Sequence, residues 1–464
     1  MLQSLTCACN GLPYHVILVF LGAYVQTSGI IMETLPQNIN RGQVKSSQEL
    51  YEVMQDLLAR ARQQGATEAS VALNQDSGFS IDVRMGEVET VAFSEDKAVS
   101  IIVYAGRRKG SASSTDTSPA ALDAMVSAAM DIAHVSAADP CFGLADKALM
   151  NNQYPDLDLC HPWAITPAEA IALALDCEGK ALALDKRIEN SDGVNLSTYQ
   201  FSHGYANSHG FMGVVHSSRH SISCSLIAKE EKGMQRDYDY TTARNAKHLM
   251  APELLARSAV KRSVSRLGAR QLKTQKVPVL FSSRLSGGLF SSFINAISGS
   301  NLYRKNSFLV DSLGQQIFPK GMKVYEQPHL VGALGSAPFD GEGVLTRNNV
   351  WVEDGRVCQY VLSSYSARRM GLQTTANSGG VFNLTVDPTA GDLDDVIKEM
   401  GTGLLVTELM GQGSNILTGD YSRGASGFWV EGGEIQYPVE EITIAGHLRE
   451  IFQGIVAVGT LISA

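Results

Sequence analysis

The chain has 464 residues, 44% of them hydrophobic and 18% charged, a balance that supplies enough apolar surface for packed cores and excludes disorder of the bulk. A net charge of −9 repels phosphate backbones and excludes a dedicated nucleic-acid binder; 43 glycines without a Gly-X-Y period point to many turns and a strand-rich protein. The seven cysteines are unpaired in spacing apart from Cys7-Ala-Cys9, which reads as a reducing compartment, and the absence of C-x-x-C pairs leaves no thiolate zinc site of the structural kind.

Residues 1–32 contain no Asp, Glu, Lys or Arg, and the apolar run 16–25 resembles the centre of a secretory signal. Against export, the first basic residue is Arg41, downstream of the run, and no small-residue cleavage site follows. The run also falls short of the ~20 residues that span a bilayer, so no membrane segment is expected. The reading adopted is a start near Met32, with residues 1–45 a leader or disordered tail and 1–31 dispensable.

Ser46-Ser-Gln-Glu49 is a capping box ahead of Leu50, Val53, Met54, Leu57, Leu58 and Ala61 at helical spacing, with Gly65 as the stop. Then Ala69/Val71/Leu73, Phe79/Ile81/Val83/Met85 and Val99/Ile101/Val103 alternate with polar residues, and Asp76-Ser-Gly78, Gly86 and Gly106 predict turns of an antiparallel meander. Helices are predicted from Ser118-Pro119 and from Thr166-Pro-Ala-Glu169, each with proline in the first turn, where its missing N–H costs nothing. Short strands with glycine turns are expected over 188–228, and a basic helix over 252–267, whose Arg257, Lys261, Arg262 and Arg266 read as a solvated face. Val277-Pro-Val-Leu-Phe281 reads as a buried strand, and Leu285, Leu289, Phe293 and Ile297 as the face of a helix. Trp351-Val-Glu-Asp-Gly-Arg-Val357 and Trp429-Val-Glu-Gly-Gly-Glu-Ile435 predict two similar hairpins. The elements make an α+β protein: a domain over 46–116 and a middle domain over 117–247, with antiparallel strands and amphipathic helices, then a strand-rich domain over 248–464, barrel-like or a sandwich.

Chemistry is sparse. A zinc peptidase needs two imidazoles on one helix face and a neighbouring Glu, yet no His-Glu pair occurs. The nearest substitute is His203, His209, His216 and His220, but the segment reads as strand and lacks the acid. G-x-S-x-G is absent. Gly401-Thr-Gly403 and Gly411-Gln-Gly413 lack the third glycine of a dinucleotide loop, so they read as places where backbone turns or lies close to another chain. Asp420-Tyr-Ser-Arg423 sets an acid and a cation between glycines, as a peptide or partner contact would, or as an internal Asp–Arg pair.

The string Lys398-Glu-Met-Gly-Thr-Gly-Leu-Leu-Val-Thr-Glu-Leu-Met-Gly-Gln-Gly413, Thr418-Gly-Asp-Tyr-Ser-Arg-Gly-Ala-Ser-Gly-Phe-Trp-Val430 and Glu434-Ile-Gln-Tyr-Pro-Val439 closely resembles the PmbA/TldE branch of the TldD/PmbA family. Ala296-Ile-Ser-Gly299, Tyr303-Arg-Lys305, Leu313-Gly314, Pro338-Phe-Asp340, Ser364-Tyr-Ser-Ala-Arg368 and Asp237-Tyr-Asp-Tyr240 extend the likeness over about residues 48 to 459. The resemblance implies a cytoplasmic two-subunit peptidase acting on small or unfolded polypeptides, with zinc in the TldD-type chain on a His-Glu-x-x-x-His helix that follows an apolar strand. Here the two histidine positions fall on Ser282 and Gly287 and the glutamate on Ser283. The expectation is therefore a chain with no catalytic or metal residues of its own, a partner to a TldD-type subunit or else a homodimer. Gly401, Gly403, Gly411, Gly413, Asp420 and Arg423 are its candidate peptide or partner contacts. The resemblance also implies a glycine-containing final strand beyond Gly459, which in TldD supplies a third zinc ligand, a cysteine; here the sequence reads Gly459-Thr-Leu-Ile-Ser-Ala464, so either the reading frame is truncated or altered there or this member lacks the strand, and closure of the C-terminal sheet stays open. Two rival readings are a non-proteolytic protein-binding modulator of DNA gyrase and an autonomous hydrolase built on the 203–220 histidines.

Overall fold

The computed structural model describes the backbone of residues 16–19 and residues 46–231 and 233–460. Val16–Val19 forms β1, which pairs far from its place in the chain. Helix α1 (Ser47–Gln63) begins with the anticipated capping box: the Ser46 hydroxyl accepts from the Glu49 N–H while the Glu49 carboxylate accepts from the Ser46 N–H. After it run β2 (Glu68–Arg84), β3 (Glu87–Ala105), β4 (Arg108–Ser114), α2 (Pro119–Val135), α3 (Pro167–Leu184), β5 (Ile188–Asn207), β6 (Met212–Glu230), β7 (Gly233–Ala243) and α4 (Pro252–Ser265). The six long strands form one antiparallel sheet in the order β4-β3-β2-β5-β6-β7.

Two local expectations give way. Asp76-Ser-Gly78 is no turn: β2 runs through it for 17 residues, and β5 and β6 are single strands of 20 and 19 residues rather than several short ones. The reason lies in the pairing, which holds from Ser70↔Asn207 to Val83↔Val194 without a bulge. A Cβ on Gly78 would stand 2.1 Å from the Thr198 carbonyl oxygen, so this glycine permits close packing within the sheet instead of reversing the chain.

Because alternation is unbroken, every odd residue of β2 from Ala69 to Val83 points to one face, and that face carries all four helices. Ala69, Val71 and Leu73 pack with α1 and α2; Phe79, Ile81 and Val83 pack with α3 and α4. The β2–β5 pairing thus places segments 46–116 and 117–247 in one sheet, and α4 joins its helix layer through Leu255, Ala256, Ala259 and Val260. The basic face of α4 is not simply solvated: Arg262 and Arg266 pair with Asp237, and Arg266 also reaches Glu408 at 2.6 Å.

The second half contains β8 (Val279–Phe281), α5 (Ser283–Ala296), α6 (Gly299–Leu302), β9 (Val324–Glu326), β10 (Asn349–Glu353), β11 (Arg356–Val357), α7 (Ser364–Met370), β12 (Leu384–Val386), α8 (Leu393–Met400), β13 (Gly403–Met410), β14 (Asp420–Glu431), β15 (Glu434–His447), α9 (Leu448–Gln453) and β16 (Ile455–Gly459). It is strand-rich, with a six-stranded sheet β15-β14-β13-β8-β1-β16 and a four-stranded sheet β11-β10-β9-β12. Both predicted hairpins are present, turning at Asp354-Gly355 (φ 48° and 75°) and at Gly432-Gly433 (φ 62° and 77°), the left-handed pairs that match strand twist. Strand β8 is covered on both faces: Phe281 joins the large core around Phe290, Phe293, Phe318 and Phe452, while Leu280 packs on the other face with Val396, Ile397 and Met400 of α8.

Of the stretch read as a leader, β1 is described; the rest of residues 1–45 lies outside the described residues, as do 461–464. β1 runs parallel to both β8 and β16 and is the only described partner of β16 in the sheet. Dispensability of residues 1–31 therefore gives way to a different expectation. A chain starting at Met32 loses the strand between β8 and β16 and should melt several degrees lower; an unchanged melting temperature would show that β1 adds nothing to the sheet.

Candidate functional site

Strand β8 leads into α5, and the start of that helix holds Ser282, Ser283 and Gly287, the positions on which the resemblance sets the family's ligands. The Ser282 N–H donates to the Val406 carbonyl of β13 at 2.9 Å, and the Ser282 carbonyl accepts from Leu285 and Ser286, starting the helix. Ser282 and Ser283 offer hydroxyls, and Gly287 offers no side chain, although a Cβ there would meet nothing within 4 Å. Packing therefore does not require glycine at 287. Neutral hydroxyls are poor zinc ligands beside imidazole or thiolate, and among the described residues no group of three His, Cys, Asp or Glu could hold a metal. The residues at this place do not fit a zinc ion.

What the first turn of α5 does carry is Arg284. Its guanidinium pairs with Asp239 of β7, donates to the Tyr238 carbonyl at 3.2 Å and lies 5.0 Å from the centre of the Tyr240 ring. Asp239 is buried and also accepts from the Ser258 hydroxyl of α4. Beside it, the Asp237 and Glu408 pairs of Arg266 complete a charge network that ties β7, α4, α5 and β13 together. The Asp-Tyr-Asp-Tyr motif thus joins the two halves of the chain.

The sequence-selected glycines divide. Gly401 (φ 67°) ends α8, and Gly403 opens β13 where a Cβ would lie 2.7 Å from the Pro278 carbonyl oxygen. Gly411 and Gly413 follow the far end of β13, roughly 25 Å away at the usual strand rise. The second pair is followed by Ser414, whose hydroxyl lies 3.1 Å from that of Ser292 of α5. Gly413 is needed by its neighbours: a Cβ would stand 1.6 Å from the Ser422 carbonyl oxygen and 2.9 Å from Arg423 Cγ. Asp420 and Arg423 do not pair with each other, because an odd spacing along β14 sends them to opposite faces. Asp420 instead accepts from the Thr418 hydroxyl at 2.6 Å.

The four histidines are likewise dispersed. His203 faces the C-terminal half, 2.8 Å from Asn74 Oδ1, whereas His216 and His220 face the helix layer. Four residues along a strand are about 13 Å apart, against one turn along a helix. His216 sits between the hydroxyls of Ser202 and Ser47 (both 2.8 Å), His220 between Thr198 Oγ1 and the His161 carbonyl (both 2.9 Å), and His209 between the Ala145 carbonyl and Glu68. Burial lowers the pKa of His203, His216 and His220, favouring neutral rings.

A feature the sequence reading missed is a cavity of about 560 Å³ where the even face of β2 and β3 meets the C-terminal half. Tyr104, Lys109, Tyr303, Arg304, Glu342 and Tyr365 contribute its polar and aromatic wall. Glu342 is set by the turn around Asp340, whose Oδ1 accepts from the N–H groups of Glu342 (2.9 Å) and Val344 (3.0 Å) while Oδ2 accepts from Ser378 (2.9 Å). Burial and then the nearby Glu342 push Asp340 up to about 7, against the pull of those three donors. Burial, then Glu342, pushes the Tyr104 hydroxyl up to about 12. The matched strings Tyr303-Arg-Lys305, Pro338-Phe-Asp340 and Ser364-Tyr-Ser-Ala-Arg368 supply or adjoin this wall, but nothing in the sequence said that they face Lys109.

Family models match three consecutive stretches: PmbA/TldA metallopeptidase domain 1 over residues 69–133, the central domain over 160–267 and the C-terminal domain over 274–463. The chain belongs to the PmbA/TldD metallopeptidase family, in its PmbA/TldE branch. It is 49% identical over 391 residues to Metalloprotease PmbA of Escherichia coli O157:H7, covering 84% of this chain and 87% of that protein. The Metalloprotease PmbA homolog of Haemophilus influenzae is 45% identical over 412 residues, covering 89% and 91%. Among solved structures, a Bacteroides thetaiotaomicron VPI-5482 protein named for modulation of DNA gyrase superposes with a TM-score of 0.83 at 27% identity, over 89% of this chain and 94% of that one. TldE from Thermococcus kodakarensis shares the PmbA/TldD fold at a TM-score of 0.76 and 21% identity, over 86% and 92%.

Three substitutions test these packing and hydrogen-bond readings. Gly413→Ala should destabilise by forcing β14 away, whereas Gly287→Ala should stabilise by about 0.5–1 kcal/mol, the usual helix gain over glycine where space is open; thermal melts of both variants check the contrast. Asp340→Ala leaves three backbone donors without their acceptor and should cost at least ~3 kcal/mol in denaturant unfolding.

Proposed function

We propose that this chain is the non-catalytic TldE-type subunit of a cytoplasmic zinc metallopeptidase that cleaves small or unfolded polypeptides. The observation carrying the reading is the start of α5, where Ser282, Ser283 and Gly287 offer no imidazole or carboxylate and Arg284 is committed to Asp239. Zinc is then expected in a TldD-type partner, and this chain's part is to complete the groove in which an extended peptide is held and oriented before attack. The glycine-bearing edge at Gly411, beside the exposed side of α5, is its candidate contact with peptide or partner; Arg423 and Asp420 flank it on β14. Sparse cysteines, of which the five described are free thiols, support a reducing compartment. No described helix is long and apolar enough to cross a membrane.

Metal analysis of the zinc-loaded, dialysed chain should find far less than one zinc per chain. Co-expression with a TldD-type protein should give a co-purifying complex that cleaves unfolded peptide faster than the TldD-type protein alone. One tightly held zinc per chain would overturn the non-catalytic assignment. Equal cleavage with and without this chain would overturn the subunit role and favour the modulator reading.

A further inference from the structure

The cavity between the two halves has a charge balance opposite to that of the whole molecule. Lys109, near the start of β4, and Arg304, just after α6, line it, while Arg107 of the β3–β4 turn and Arg368 of α7 stand behind its wall. Arg107 donates to the Phe142 carbonyl at 2.6 Å, and Arg368 to the carbonyls of Cys141 and Gly143 at 3.1 and 3.0 Å. Those bonds fix the 141–143 wall without neutralising the guanidinium charge. Lys109, half-buried, has no ion-pair or hydrogen-bond partner among the described residues, and Arg304 has only the face of Tyr303 at 5.3 Å. Among the residues that line the cavity, Lys109 and Arg304 are cations and Glu342 is the carboxylate, one of whose oxygens accepts from the Ser364 N–H at 2.9 Å. A net positive pocket on a chain of charge −9 draws anions inward.

We infer that this cavity binds the C-terminal end of a short peptide, with Lys109 and Arg304 holding the carboxylate and Glu342 accepting from the peptide's N–H groups or free amine. The volume, about 560 Å³, lies in the ordinary range for small-molecule sites, and Tyr104, Tyr303, Tyr365 and Phe142 give apolar walls for side chains. Glu342 decides between anions. A dianionic phosphate would meet its carboxylate in the same small space, whereas a peptide brings one negative charge and several donors. The site lies within this chain, so binding needs no partner subunit and its failure leaves the subunit assignment untouched.

Calorimetric titration of the full chain with the tripeptide Ala-Ala-Phe and with its C-terminal amide tests the inference. The free acid should bind about tenfold or more tightly than the amide, as expected for a charge-assisted contact. Lys109→Met and Arg304→Met should each weaken the acid about tenfold and leave the amide unchanged. Both side chains lack described hydrogen bonds, so both variants should melt as the parent does. Should either fail to fold, Ser300→Trp, at an exposed position on the cavity wall, blocks the space instead and should abolish binding. Equal binding of acid and amide, no heat at millimolar peptide, or undiminished binding in the variants would overturn the assignment. So would inorganic phosphate that binds as tightly as the peptide and displaces it, which would give the cations to phosphate.

Discussion

An unbroken two-residue alternation along β2 and β5 is the constraint on which both halves of the molecule depend. The strands stay in register from Ser70↔Asn207 to Val83↔Val194, so a single parity decides which side chains meet the helices and which meet the second half. Slipping by one residue would move Val71, Ile81 and Val83 out of their cores at once and bring Ala72 and Asn74 in. The opposite face is then free to hold Tyr205, which packs with Phe211 and Phe339 where the C-terminal half docks. The cavity exists because that docking is incomplete around Tyr104 and Lys109.

A second tie is electrostatic. Asp237 and Asp239 are buried or nearly so, and a buried carboxylate is tolerated only when paired and hydrogen-bonded. Arg262, Arg266 and Arg284 meet that demand from two helices, one in each half of the chain. The start of α5 is thereby held by the Arg284–Asp239 pair. In this chain it works as a joint between layers.

The α+β class, the helix starts and the hairpins were legible because each rests on local chemistry: capping residues at Ser46 and Thr166, proline in the first turn, and Asp-Gly or Gly-Gly at left-handed positions. Strand length was not legible. Gly78 resembles a turn residue locally, and only the neighbouring strand shows that it is there for lack of a Cβ. The same limit applied to Gly413, whose crowding comes from Ser422 and Arg423 across the β14 pairing.

The sequence by itself determined the family likeness, the lack of a His-Glu motif and the residue types at 282, 283 and 287, since these are properties of the string and survive any folding. It also determined the apolar periodicities, which constrain helices and strands residue by residue. Tertiary structure alone decided that His203 and His216 lie on opposite faces of a sheet, that Asp420 and Arg423 part company, and that Lys109, Arg304 and Glu342 share one cavity. Those three come from a strand, a helix end and a loop more than thirty residues apart in sequence, and only the pairing of long strands and the docking of one half on the other brings such distant charges together.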